Sequence, residues 1–116
     1  MLIESYSFGR IVIDGEEHQN DLMIYAEEIH PKWIRKSGHK LVPEDLAWIV
    51  ERNPDLLIVG KGSSGLMEVT DRARAFLKEN DIDLWIGKTD EAVDYFNSEM
   101  DSDNSTTVSA AFHLTC

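Results

Sequence analysis

Leu56-Leu57-Ile58-Val59, followed at once by Gly60-Lys61-Gly62-Ser63-Ser64-Gly65, is the stretch that decides the fold. Four consecutive large aliphatic residues are what a strand carries when both of its faces are buried, as in a parallel sheet covered by helices. The glycine-rich hexapeptide predicts a sharp turn into a crossover. Thr70 is then placed to cap a helix through Lys78, with Ala73, Phe76 and Leu77 inward. Ile82 to Ile86 reads as the next strand. Thr89 is expected to cap a third helix, with Asp90 and Glu91 in its first turn and Ala92, Val93, Phe96 and Met100 on its apolar stripe. A solvated loop at 101–106 leads to a last strand from Val108 to Leu114. This β-α-β-α-β order favours a parallel sheet with helices on its faces.

Upstream the pattern is β. Ile3, Tyr6 and Phe8 lead into Gly9, Arg10 to Ile13 form a compact strand, and Asp14-Gly15 is a turn signal. Asp21 to Ala26 reads as a further strand, and strands this close in sequence pair antiparallel most simply. Pro43-Glu44-Asp45 opens a helix with Leu46, Ile49 and Val50 on one face, and Asn53-Pro54 stops it. The expected fold is a three-layer α/β domain spanning 1–116, with a mainly parallel central sheet and an antiparallel N-terminal β layer.

A chain of 116 residues, 42% apolar, fits one globular domain. Its single cysteine, Cys116, allows no internal disulfide, and Met1-Leu2-Ile3-Glu4 has no basic leader or long apolar core. These features point to the reducing cytoplasm, with no membrane span. The net charge of −11 argues against nucleic-acid binding. The charge is uneven, because residues 30–40 carry four bases and no acid.

Two segments concentrate donors suited to a negative ligand. The first is Gly60-Lys61-Gly62-Ser63-Ser64-Gly65, whose glycine spacing matches G-x-G-x-x-G. A dinucleotide site needs a helix to begin inside that motif, and here Leu66, Met67, Glu68 and Val69 intervene before Thr70. An NAD-type oxidoreductase is therefore disfavoured. The remaining readings are a sharp turn between strand and crossover, or a nest of backbone N–H groups that holds a small anion with Lys61. The second segment runs from Trp33 to Lys40. Arg35 offers a planar fork to carboxylate or phosphate, Trp33 a stacking face, and His39 a further donor. Alternatively, Trp33 packs on the sheet and the bases balance nearby acids.

Other constellations fall short. His113 and Cys116, three apart on a strand, point to opposite faces, which disfavours a catalytic pair. His18, His30, His39 and His113 have no metal-ligand spacing. No catalytic residue, metal or cofactor is assigned.

The chain resembles a known family along nearly its whole length. The opening Ile3-Glu4-Ser5-Tyr6-Ser7-Phe8-Gly9-Arg10-Ile11-Val12-Ile13-Asp14-Gly15 is similar to that family's first block. So are Trp33-x-Arg35-x-x-Gly38-His39, Ile58-Val59-Gly60-x-Gly62-x-x-Gly65-Leu66-Met67, Lys88-Thr89-x-Glu91-Ala92-Val93 and Ala110-Ala111-Phe112-His113-Leu114-Thr115-Cys116 to later blocks. The family comprises small archaeal and bacterial proteins of unknown function, together with the mitochondrial complex I assembly factor 3 and an adipogenesis-associated protein. The resemblance implies a three-layer α/β fold with a mainly parallel sheet, and no established catalytic activity. The chain departs from the family pattern at Lys61, where a small polar residue is more usual, and in the acidic loop at 101–106.

Two functions are compatible with these features. One is a non-catalytic binding or assembly module with a protein partner. The other is a small-molecule or anion-binding protein, or a small enzyme. It would use a pocket between the Trp33–Lys40 and Gly60–Gly65 loops, with Trp33, Arg35, His39, Gly60, Lys61, Gly62, Ser63, Ser64 and Gly65 as its residues. The sequence does not fix an oligomeric state.

Overall fold

The computed structural model describes residues 1–102 and 105–116. Strands β1 (Ile3–Ser7), β2 (Arg10–Ile13) and β3 (Glu16–His18) form an antiparallel sheet in the order β1-β2-β3. Asp14 and Gly15 make the β2–β3 turn with φ of 48° and 82°, the left-handed geometry that Asp-Gly supplies cheaply. Next come β4 (Leu22–Tyr25), β5 (Glu28–His30) and β6 (Lys40–Leu41), then a 3₁₀ turn over Pro43–Leu46 that runs into α1 (Ala47–Arg52). Asn53, at φ 51°, ends α1 just before Pro54. The second half is β7 (Leu56–Lys61), β8 (Glu68–Val69), α2 (Asp71–Glu79), β9 (Asp83–Gly87), α3 (Thr89–Met100) and β10 (Val108–His113). Of the acidic loop expected at 101–106, Asp103 and Asn104 lie outside the described residues.

The central sheet is mixed, in the order β5-β4-β10-β7-β9. Strands β10, β7 and β9 run parallel, as the β-α-β-α-β order requires, while β4 and β5 extend the sheet antiparallel. The N-terminal β segment thus divides: β1–β3 cover one face of the sheet, and β4–β5 lengthen its edge.

Side chains alternate across the pleat and build two cores. On one face Ile24, Ile58, Ala110 and Phe112 meet Ile3, Ile11 and Ile13 of the small sheet and Ala92, Val93 and Phe96 of α3. Phe96 and Phe112 pack edge-to-face at 6.0 Å and 81°, a pairing worth about 1 kcal/mol beyond burial alone. On the other face Met23, Leu57, Val59 and Ala111 meet Leu46 and Ile49, Ala73 and Leu77 of α2, and Leu41 and Val69 of the β6–β8 pair. Three layers follow. Both β10 and β7 carry apolar residues on both faces, so they occupy the middle.

Thr70 caps α2 as its position predicts, accepting from the Ala73 amide at 3.2 Å. Thr89 does not cap α3. The capping position is Lys88, whose amide donates to Glu91 Oε1 at 3.3 Å, and Thr89 is the first helical residue, fully buried. Tertiary contacts claim its hydroxyl. It donates to the His113 carbonyl at 2.6 Å and accepts from the Gly62 amide at 2.8 Å. That bond ties α3, β10 and the glycine loop at one end of the sheet.

Candidate functional site

The Trp33–Lys40 and Gly60–Gly65 loops both run along the carboxyl end of β10. His113, the last residue of β10, is the register partner of Lys61 in the parallel ladder, so both side chains leave the same sheet face. Arg35 reaches this point from the other loop, its Nη2 3.1 Å from His113 Nδ1.

Asp21, just before β4, organises the cluster. Its Oδ2 accepts from Arg35 Nη1 at 2.7 Å and lies 2.8 Å from His113 Nδ1, while its Oδ1 accepts the Leu114 amide at 2.8 Å. The Arg35 side chain is only 5% exposed and that of Asp21 16%. A nitrogen that donates to the carboxylate cannot also accept from arginine. The shorter, charge-assisted contact assigns the Nδ1 proton of His113 to Asp21. His113 Nε2 and Arg35 Nε are buried without a hydrogen-bond partner. The bond from Nδ1 to Asp21 fixes the orientation of the His113 ring at the end of the strand.

Burial pushes the Asp21 carboxyl up, but hydrogen bonds from His113, the Leu114 amide and Arg35 outweigh it and hold the group below the ordinary aspartate value of 3.8. A depressed folded-state value means the unfolded chain binds more protons at low pH, so the contribution is present above the ordinary aspartate range and fades as pH falls through the folded value. In urea titrations from pH 7 towards pH 3, the stability gap between the native chain and Asp21→Asn is expected to close as pH falls below about 4. A gap that stays constant across that window would contradict this.

Trp33 is buried, and its indole donates to the Asp45 carbonyl at 3.0 Å. The Asp45 carboxylate, itself buried, accepts from the Lys36 and Val42 amides at 3.0 and 3.1 Å. It thereby fixes the loop from below, while Arg35 lies 4.8 Å from the Trp33 ring centroid. His39 is exposed. Its backbone carbonyl accepts from Glu68, and its ring takes no part in the cluster.

The glycine loop does not offer a free nest. Gly62 donates to Thr89, Ser63 to the Thr115 carbonyl at 2.6 Å, Gly65 to the Gly62 carbonyl and Leu66 to the Cys116 carbonyl at 3.0 Å. The chain's own residues 115 and 116 fill the position an anion would take. Gly60 is buried against Thr89 and Phe112, where a Cβ would stand 2.8 Å from the threonine hydroxyl. Ser63 and Ser64 are exposed. Lys61 is half-buried beside Gly65 and, like Lys32 and Lys88, makes no ion pair among the described residues. Arg10, Lys36, Arg52 and Arg72, by contrast, are each paired with glutamate.

Apolar side chains also stand out at this end. Phe8 is 66% exposed, Ile34 87% and Leu66 61%. All three border residues 114–116: Gly9 beside Phe8 donates to the Leu114 carbonyl, Ile34 and Thr115 line one open cavity of about 380 Å³ that Lys32 also lines, and Leu66 donates to Cys116. Sequence reading named the two loops but not Asp21, Asp45 or this apolar rim.

The chain belongs to the family of proteins of unknown function DUF498/DUF598, whose model matches residues 3–113. It is similar to a conserved hypothetical protein from Pyrococcus horikoshii OT3, PH1505, at 27% identity over 100% of both chains, with a TM-score of 0.84. It is also similar to MT938, at 25% identity over 99% of this chain and 98% of the other, with a TM-score of 0.80. An outer membrane protein from Bartonella henselae shares the fold, at 22% identity and a TM-score of 0.81 over 98% and 94% of the two chains. Among the described residues, no helix is long and apolar enough to cross a membrane.

Proposed function

We propose that the protein is a non-catalytic binding module that docks an acidic protein segment carrying apolar side chains. The observation that carries this reading is the division of labour at the carboxyl end of β10. The buried polar groups there are bonded mainly to one another, whereas Phe8, Ile34 and Leu66 stand in solvent, Ile34 lining a cavity with Lys32 and Leu66 following Gly65, which Lys61 approaches. Apolar anchors in a polar, charged rim are the composition of a protein-docking patch. Unpaired lysines in a chain of net charge −11 make this a place where an acidic partner is favoured. A flat anionic membrane would also meet the rest of the acidic surface, which disfavours it.

The test compares the native chain with Phe8→Ser/Ile34→Ser/Leu66→Ser, which changes only exposed side chains. A partner captured from the host extract and repurified should lose at least about tenfold in affinity for the triple variant. Its binding should slow amide exchange at residues 7–9, 33–36 and 64–67. Equal affinity for both chains, or binding to phosphatidylserine vesicles in place of a protein, would overturn the reading. So would turnover in a substrate screen that disappears with Arg35→Ala or Lys61→Ala.

A small anion is the second reading, favoured by the approach of both Lys61 and Lys88 to Gly65 with no carboxylate partner among the described residues. Inorganic phosphate or citrate would then raise the melting temperature of the native chain but not of Lys61→Ala.

A further inference from the structure

We infer, resting on the small-anion reading, that the crevice beyond the ends of β7 and β9 binds phosphate monoesters, with Lys61 and Lys88 on the phosphate and Leu66 against the organic part. In open α/β sheets, ligands bind beyond the carboxyl ends of parallel strands, at the point where the strand order reverses and neighbouring connections part to opposite faces. Strands β7 and β9 are such neighbours. After β7 the chain passes to α2, whose Ala73 and Leu77 pack on the face of Leu57 and Val59. After β9 it turns back through α3 to β10, and Val93 and Phe96 of α3 pack on the face of Ile58 and Phe112. Gly60 and Gly87 are register partners, so Lys61 and Lys88 are next in line at the two parting ends.

Two ammonium groups are thereby drawn together. A Cβ placed on Gly65 would lie 3.9 Å from Cε of both lysines, so their stems converge over one glycine. Like charges at neighbouring strand positions repel. Neither lysine has an ion-pair partner among the described residues, in a chain of 22 acids and 11 bases. The acids nearest in sequence are engaged with backbone: Glu91 Oε1 accepts the Lys88 amide at 3.3 Å, and Asp90 Oδ1 the Glu91 amide at 2.8 Å. Asp21 serves Arg35 and His113. The amino end of the 12-residue α3 lies here too and adds its positive dipole.

The class of anion follows from charge and surroundings. Two positive charges match a dianionic phosphate group better than a carboxylate with its single charge. Ser64 is exposed, in the turn that the Gly65 amide closes on the Gly62 carbonyl, and makes no hydrogen bond among the described residues, so its amide and hydroxyl are free to add. The Met67 amide donates to the Lys61 carbonyl at 3.1 Å, which closes the loop and brings the Leu66 backbone close to that of Lys61. Leu66 is 61% exposed, and an apolar side chain at the rim favours an ester over free phosphate.

The experiment is a titration of the full chain followed by amide NMR shifts at about pH 7.5, where phosphate esters are mostly dianionic. The probes are phenyl phosphate, inorganic phosphate, citrate and acetate, at matched ionic strength because exposed charges are screened. Saturable shifts are expected at residues 62–66 and 88–90, with phenyl phosphate binding about fivefold more tightly than inorganic phosphate. Lys61→Gln and Lys88→Gln, which keep most of each stem, should each weaken phenyl phosphate about fivefold. Leu66→Ser should bring the two phosphates level. Melting curves check that each variant keeps its fold. Acetate binding as tightly as phenyl phosphate, equal affinity of the native chain for both phosphates, or indifference to Lys88→Gln overturns the proposal. Citrate binding without either phosphate also overturns it and leaves the small-anion reading standing. Binding of none of the four removes both.

Discussion

Replacing Asp21 by alanine is expected to lower the melting temperature by about 10 °C, corresponding to about 3 kcal/mol for a domain of this size. Three groups lose their acceptor at once: the almost wholly buried Arg35 guanidinium, the His113 ring and the Leu114 amide. The cost is chiefly that of an arginine left in a dry place without its counter-charge. Because Asp21 is itself slightly exposed, water offsets some of the loss, which places the estimate at the lower end of the range for buried pairs. Asp21→Asn keeps an oxygen for the Leu114 amide, though it loses the charge and the second acceptor that Arg35 and His113 share, so its loss should be smaller than that of alanine. Thermal melts of the two variants at pH 7 decide the matter. Equal melting of Asp21→Ala and the native chain would mean that the cluster is not structural.

Gly62→Ala carries the second large effect, also about 3 kcal/mol. Gly62 has φ of 106°, where side chains are strained, and the space a Cβ needs is already occupied. The Cβ would stand 2.6 Å from the Cys116 carbonyl oxygen and 2.7 Å from that of Thr115. Both are backbone atoms, so the segment must move and release Ser63 and Leu66 from their bonds. Calorimetry should show the lower melting temperature, and exchange at the Ser63 and Leu66 amides should accelerate. Native-like melting together with unchanged exchange would contradict the tight approach.

The elements legible in the sequence are those whose signal is local. Leu56 to Val59, the Thr70 cap and the Ala92–Phe96 stripe each express burial or capping within one element, and each forms as expected. Strands β6 and β8 are too short to show any period. Thr89 fits a cap by type and position, but a buried hydroxyl with two long-range partners outweighs the local preference. Asp21 reads as the opening of a strand, because its partners lie 14 and 92 residues away and no spacing rule connects them. The glycine loop is recognisable as a set of amides in need of acceptors. Which acceptors fill them depends on where residues 115 and 116 lie, and that follows from the sheet order.

That order has a consequence for how the chain is made. Residues 108–113 supply the middle strand, with β4 on one flank and β7 on the other. During synthesis the two flanks emerge first, each with a raw apolar border facing nothing. Neither can be sealed until this hexapeptide leaves the ribosome and slots between them. Closure of the central sheet therefore waits for these residues to be made, and until then the nascent chain is a natural client for chaperones.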